Sequence, residues 1–113
     1  MDTRTWVNGI DVAVTVCDCA GIIVYMNDQA AQIFSADGGK TLLGKNLLEC
    51  HPESARQKIR HIMETGSSNS YTIEKNGVKK LIHQVAWHEN NELAGLVEFS
   101  LVIPFALPHF VRS

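Results

Sequence analysis

Val12-Ala13-Val14-Thr15-Val16-Cys17, then Asp18-Cys19-Ala20-Gly21, then Ile22-Ile23-Val24-Tyr25-Met26-Asn27 is the stretch whose reading decides the fold. The two flanking runs are β-branched and apolar, and the Asp and Gly between them supply turn chemistry, so the segment reads as a β-hairpin. Asn27 then stands at an N-cap position, with Ala30, Ala31 and Phe34 at helical spacing behind it and Asp37-Gly38-Gly39 breaking the pattern. A two-turn helix follows the hairpin directly.

Further along, Leu42-Leu43-Gly44-Lys45-Asn46-Leu47-Leu48 is a short apolar connection, and Pro52 opens the longest helical pattern. Its apolar face is Ala55, Ile59, Ile62 and Met63, and Gly66 ends it as a C′ glycine does. Arg56, Lys58 and Arg60 lie opposite and read as a solvated face rather than a phosphate site. Three strands complete the chain, from about Ser70 to Lys75, Val78 to His88 and Leu93 to Ile103. They are joined by Asn76-Gly77, the strongest short hairpin signal, and by Glu89-Asn90-Asn91. Upstream of the first hairpin, Thr5 to Ile10 with Trp6 and Val7 is too short to be stable alone and reads as a docked cap. The order β-β, helices, β-β-β is an α+β pattern built on an antiparallel sheet.

The chain has 113 residues, which fits one domain and leaves no room for a separate catalytic or DNA-binding module. Residues 1–10 form the cap, 11–103 the domain, and 104–113 a tail whose Pro104 and Pro108 preclude a continuous helix. Hydrophobic residues make up 45% and charged ones 19%, the usage of a chain with a packed core. The formal net charge is −2 and no Lys/Arg run exceeds Lys79-Lys80, so direct nucleic-acid binding is not expected. No apolar stretch approaches the roughly 20 residues of a membrane span, and no signal-peptide core follows Met1, so a cytoplasmic location without membrane contact is expected. Cys17, Cys19 and Cys50 are odd in number and irregular in spacing, which points to reduced thiols rather than a disulfide framework.

The same order, with Asp18 to Gly21 in the first hairpin, Tyr25-Met26-Asn27 leading into a helix with Ala30 and Phe34, Leu43-Gly44-Lys45-Asn46, Met63-Glu64-Thr65-Gly66 closing the long helix, and Asn76-Gly77, resembles the PAS domain family over roughly residues 10 to 103. The resemblance implies a five-stranded antiparallel sheet in the order 2-1-5-4-3, with short helices and one longer helix on one face around a central cavity. It also implies a sensory, signal-transducing module that binds a small molecule, a protein partner or both, commonly as a homodimer, and that is not an enzyme. Two things depart from the family or stay open. The last strand ends in Val102-Ile103-Pro104 in place of the family's Asp-x-Thr coupling motif, and the chain is either complete, as Met1 suggests, or excised from a larger sensor.

Which face of the sheet lines the cavity has two readings. Plain alternation turns Val97, Phe99, Leu101 and Ile103 toward the core. The register implied by the family reverses this, giving a cavity walled by Phe34, Ile59, Met63 and Ile82 with a polar end at Gln84, Glu98 and Ser100. Val85, Trp87, Val97, Phe99 and Leu101 then form an outward apolar patch, to be covered by the Trp6 cap, a second subunit, or both.

The cofactor is not fixed by these residues. Haem-binding members place a histidine on the long helix at a position that here falls near Ala55, so haem requires His51 or His61 instead; with Cys50 these give the alternative reading, a haem- or metal-bearing redox or gas sensor. The segment Leu48-Glu49-Cys50-His51-Pro52 departs from the reactive-cysteine motif of flavin-binding members, and no metal site is expected, because Cys17, Cys19, Cys50 and His51 lack a zinc spacing. Cys50 and His51 point apart as sequence neighbours, so a thiolate-imidazole pair is not expected. Gly39-Lys40-Thr41 is not a P-loop, since Phe34 occupies the position of its leading glycine. Glu98 has the chemistry of a general base, but no second catalytic group accompanies it.

Overall fold

The computed structural model describes residues 3–113, with the side chains of Thr3, Arg4 and Cys50 outside the described set. The chain runs through α1 (Thr3–Asn8), β1 (Ala13–Asp18), β2 (Ile23–Met26), α2 (Asp28–Ile33), α3 (Glu53–Thr65), β3 (Ser68–Lys75), β4 (Val78–Glu89) and β5 (Glu92–Ile103), with 3₁₀ turns between α2 and α3. The strands form one antiparallel sheet in the order β2-β1-β5-β4-β3, the α+β arrangement expected.

Turn chemistry sets the three hairpins. Asp18 Oδ1 accepts hydrogen bonds from the main-chain N–H groups of Ala20 (2.9 Å) and Ile22 (3.0 Å), folding the chain back into β2. Asn76 and Gly77 both have positive φ, 55° and 77°, as a two-residue type I′ turn requires. The β4–β5 turn also has two residues, Asn90 and Asn91 at φ 53° and 65°, so the strands reach Glu89 and restart at Glu92, beyond the expected ends at His88 and Leu93. Asparagine tolerates the left-handed region, so the shorter turn is available without glycine.

Asn27 has no exposed surface. Its Oδ1 caps α2 by accepting from Ala30 N (3.0 Å) and also accepts from Val14 N (2.9 Å). Its Nδ2 donates to Val7 O (2.8 Å) and Val12 O (2.7 Å). One side chain thus ties α2, β1 and the end of α1 together. Tyr25 adds a second tether by donating its hydroxyl to Asn8 Oδ1 (2.7 Å). Val7 and Asn8 are therefore tied to the sheet and α2 by hydrogen bonds, while Trp6 stays half exposed.

The pairing decides the faces of the sheet. Tyr71, Ile82, Ser100 and Ala13 stand side by side across four strands, followed by the row Asn69, Gln84, Glu98, Thr15 and the row Ala86, Leu96, Cys17. These rows face the helices: Cys17 and Leu96 pack with Ile59, Ile62 and Met63, while Ala13 packs with Ile23, Met26 and Ala30. Plain alternation is thereby overturned. It fails because the outward residues of β5, Val97, Phe99 and Leu101, are more apolar than the inward Glu98 and Ser100 although they are only half-buried on the open face. Trp87 also lies on that outer face, and its Nε1 reaches across β5 to donate to Cys17 O (3.2 Å).

The two edges of the sheet differ. Along β2, Ile22 bridges to Asn46, Ile23 N donates to Lys45 O (2.9 Å), Gly44 N to Ile23 O (2.8 Å) and Leu47 N to Gly21 O (2.7 Å), so segment 44–47 covers that edge. β3 has a strand partner on one side only. The tail after Ile103 has no regular structure; Lys79 Nζ holds Phe105 O (3.2 Å), while Phe105, Leu107, Phe110 and Val111 are exposed. Among the described residues no helix is long and apolar enough to cross a membrane.

Candidate functional site

The inner face of the sheet and the α2–α3 connection enclose a cavity of about 490 Å³, lined by Thr15, Ile23, Met26, Phe34, Asp37, Leu42, Leu47, His51, Tyr71 and Glu98. That volume falls within the roughly 300–1,000 Å³ of small-molecule pockets. A second pocket of about 300 Å³, under α3, is lined by Ala55, Lys58, Ile59, Asn69, Ser70 and Gln84 and shares His51 and Tyr71 with the first. Most of the main cavity wall is apolar.

Its polar end is a hydrogen-bonded chain across three strands. Asn69 Nδ2 donates to Gln84 Oε1 (3.0 Å), and Gln84 Nε2 donates to Glu98 Oε2 (3.0 Å). The direction is forced at the Glu98 end, because an ionised carboxylate only accepts and so fixes the orientation of both amides. Gln84 is buried, which makes its two satisfied bonds a structural requirement as well. Burial pushes the Tyr71 phenol above its ordinary pKa, and the negative Glu98 adds to the rise. Cys17, at the packed end of the same face, is raised chiefly by burial, with a main-chain hydrogen bond at Leu96 opposing and Asp18, Cys19 and Glu98 reinforcing the rise. His51 Nδ1 lies 2.7 Å from Leu47 O; a carbonyl only accepts, so Nδ1 carries a proton and the ring is anchored.

Of the residues expected to line a ligand site, Phe34 and Glu98 line the main cavity and Ile59 and Gln84 the adjoining pocket. Ile82 and Ser100 share the inner face in the row of Tyr71. Met63 is not at either pocket; it packs into the core with Cys17 and Leu96. Sequence reasoning missed Thr15, Asp37, Asn69 and Tyr71. The Asn76-Gly77 turn supplied the signal for Tyr71 and Asn69, since a two-residue turn fixes Lys75 opposite Val78 and hence Tyr71 opposite Ile82 and Asn69 opposite Gln84. Of the two histidines considered for haem, His51 reaches the cavity, whereas His61 is exposed on α3 and lines neither pocket. Cys50, the thiol of that alternative, lies outside the described side chains. Among the described residues no three His, Cys, Asp or Glu side chains come together as a metal site.

Five strands in this order with a cavity between sheet and helices define a sensory fold, and residues 2–94 match the PAS fold family: the chain belongs to it. The structure is similar to a sensory box sensor histidine kinase from Vibrio cholerae (20% identity, TM-score 0.65, covering 89% of each chain). It is similar also to the Aer2 receptor of Vibrio cholerae, described as a dual PAS-heme oxygen sensor (20% identity, TM-score 0.63, covering 87% of this chain and 99% of that one). Vibrio cholerae VqmA superposes with a TM-score of 0.72 at 13% identity, over 93% of this chain and 54% of that one. No curated protein matches by sequence.

Proposed function

We propose that this chain is a cytoplasmic, non-enzymatic sensory module that binds a small molecule in the cavity beside Glu98 and thereby alters its affinity for a signalling partner, working as a homodimer. The observation that carries this reading is the cavity of about 490 Å³, apolar in most of its wall and bearing Glu98, which Gln84 and Asn69 hold from the adjoining pocket. An apolar enclosure with a few fixed polar groups is the usual makeup of a small-molecule site. VqmA, described in one structure as bound to DPO and in another in complex with ligand and DNA, supports ligand sensing on this fold and an output in transcription regulation. With a net charge of −2, these 113 residues do not themselves supply the basic surface that DNA binding needs.

The pairing surface in this reading is the outer sheet face with Trp6, Val85, Trp87, Val97, Phe99 and Leu101, extended by the exposed apolar tail. Native mass spectrometry on freshly purified protein tests both parts. A dimer carrying extra mass is the expected result; a monomer at micromolar concentration would remove the pairing, and a bare species would move the reading toward protein interaction. Phe99→Glu places a charge at the centre of the proposed interface and is expected to weaken dimerisation at least tenfold by sedimentation velocity. Trp87 is a poorer choice of variant because its indole N–H already serves Cys17 O within the chain. An unchanged dimer in Phe99→Glu moves the interface elsewhere.

A further inference from the structure

We propose that the ligand of this cavity is a nitrogen cation, a small primary amine or amidinium on a compact apolar or aromatic body. The inference rests on reading the cavity as a small-molecule site and names the chemistry that site accepts. Its lining includes two carboxylates, Asp37 and Glu98, and, among the described residues, no lysine or arginine. Lys40, on the same connection as Asp37, is engaged by Met26 O (3.0 Å) and Asp28 Oδ1 (3.4 Å). Lys58 borders only the adjoining pocket and is exposed to solvent. An anion entering the main cavity meets the half-buried Glu98, with the solvent-exposed Asp37 adding a weaker, screened like charge at the rim, whereas a cation is attracted by both.

Thr15 supplies an independent observation. It is 8% exposed, lines the cavity and stands directly across from Glu98 in the β1–β5 pairing, and its hydroxyl has no hydrogen-bond partner among the described residues. The hydroxyl is therefore open toward the cavity, where it can accept from a ligand N–H beside the Glu98 carboxylate. Glu98 is likewise half used: Oε2 accepts from Gln84, and Oε1 has no partner among the described residues. With His51 Nδ1 committed to Leu47 O, the ring has only Nε2 left to offer the cavity. The cavity thus offers acceptors at Glu98, Asp37 and Thr15 to a donor-rich group, and Phe34 and Tyr71 bring aromatic rings to its wall.

Three probes of similar shape separate the possibilities: 2-phenylethylamine, 2-phenylethanol and 3-phenylpropionate, each titrated into the full chain while the backbone amide signals of Thr15, Gln84 and Glu98 are followed by NMR. The amine is expected to give saturable shifts at least tenfold tighter than the alcohol, and the carboxylate none. Glu98→Gln should bring the amine to within about twofold of the alcohol measured on the same variant, and Thr15→Val should weaken the amine several-fold. Binding of the alcohol or carboxylate as tightly as the amine overturns the cation assignment but leaves a small-molecule site standing. Amine affinity that survives Glu98→Gln overturns the assignment too, and no shift with any probe overturns both it and the reading beneath it.

Discussion

Asn27→Ala is expected to lose about 3–5 kcal/mol of folding stability, the larger part of what a domain of this size holds. The side chain is fully buried and makes four hydrogen bonds, to Ala30 N, Val14 N, Val7 O and Val12 O. Truncation removes an N-cap, worth about 1 kcal/mol, and strips partners from main-chain groups that water does not readily reach, at about 1–3 kcal/mol for each group left unsatisfied. Asn27→Asp keeps the Oδ acceptors but removes both donors to α1 and the β1 entry, so it should fall between the two and release the N-terminal segment first. Urea unfolding followed by circular dichroism reads the total, and amide exchange at Val7 and Asn8 reads the release. An Asn27→Ala protein within 1 kcal/mol of the parent would mean that the contacts described are dispensable.

Gly95→Ala should be as damaging by a different route. Gly95 sits at φ 154° between Trp87 on β4 and Asp18 on β1, and a Cβ placed there lands on the Cys17 carbonyl oxygen and close to Asp18 Cα. Both obstacles are main chain in a central strand pairing, so neither side yields as a flexible side chain would. The same carbonyl accepts the Trp87 indole N–H (3.2 Å), and the indole reaches it across β5. We expect at least 3 kcal/mol of destabilisation from overpacking against the backbone, with a shift in tryptophan emission as Trp87 leaves its partner. Gly66→Ala is the comparison: φ is 69° but open space surrounds the site, so only the left-handed penalty of about 1–2 kcal/mol applies. Equal losses at the two positions would show that backbone conformation, not crowding, governs Gly95.

The parts of the fold legible in the sequence are those fixed by short-range chemistry. Asp18 to Gly21, Asn76-Gly77 and the Asn27 cap each demand a local geometry, and each adopts it. That Asn27 also holds α1 and β1 was not legible, because those bonds join residues distant in sequence. At the site, Gln84 and Glu98 were reachable through strand register, but the amide chain linking them to Asn69 needed the β3 pairing as well. Helical spacing put Met63 on the same face as Ile59 and could not say that the sheet closes over Met63 and leaves Ile59 at a pocket. The apolar outer face misleads simple alternation because a strand with large residues on one side and small or polar ones on the other reads inside out.

The unequal sheet edges carry a consequence for aggregation. An exposed edge strand is a template for another chain, and a sheet with two such edges can grow without limit. Here segment 44–47 occupies the hydrogen-bonding groups of Gly21 and Ile23 beside β2, while β3 is open. Two copies joined through β3 would make a ten-stranded sheet, five strands from each, ending in a covered edge on either side. Edge-to-edge pairing through β3 would therefore join two copies about a two-fold axis, and the loop bonded to Gly21 and Ile23 would hinder a further chain from adding at the β2 edge.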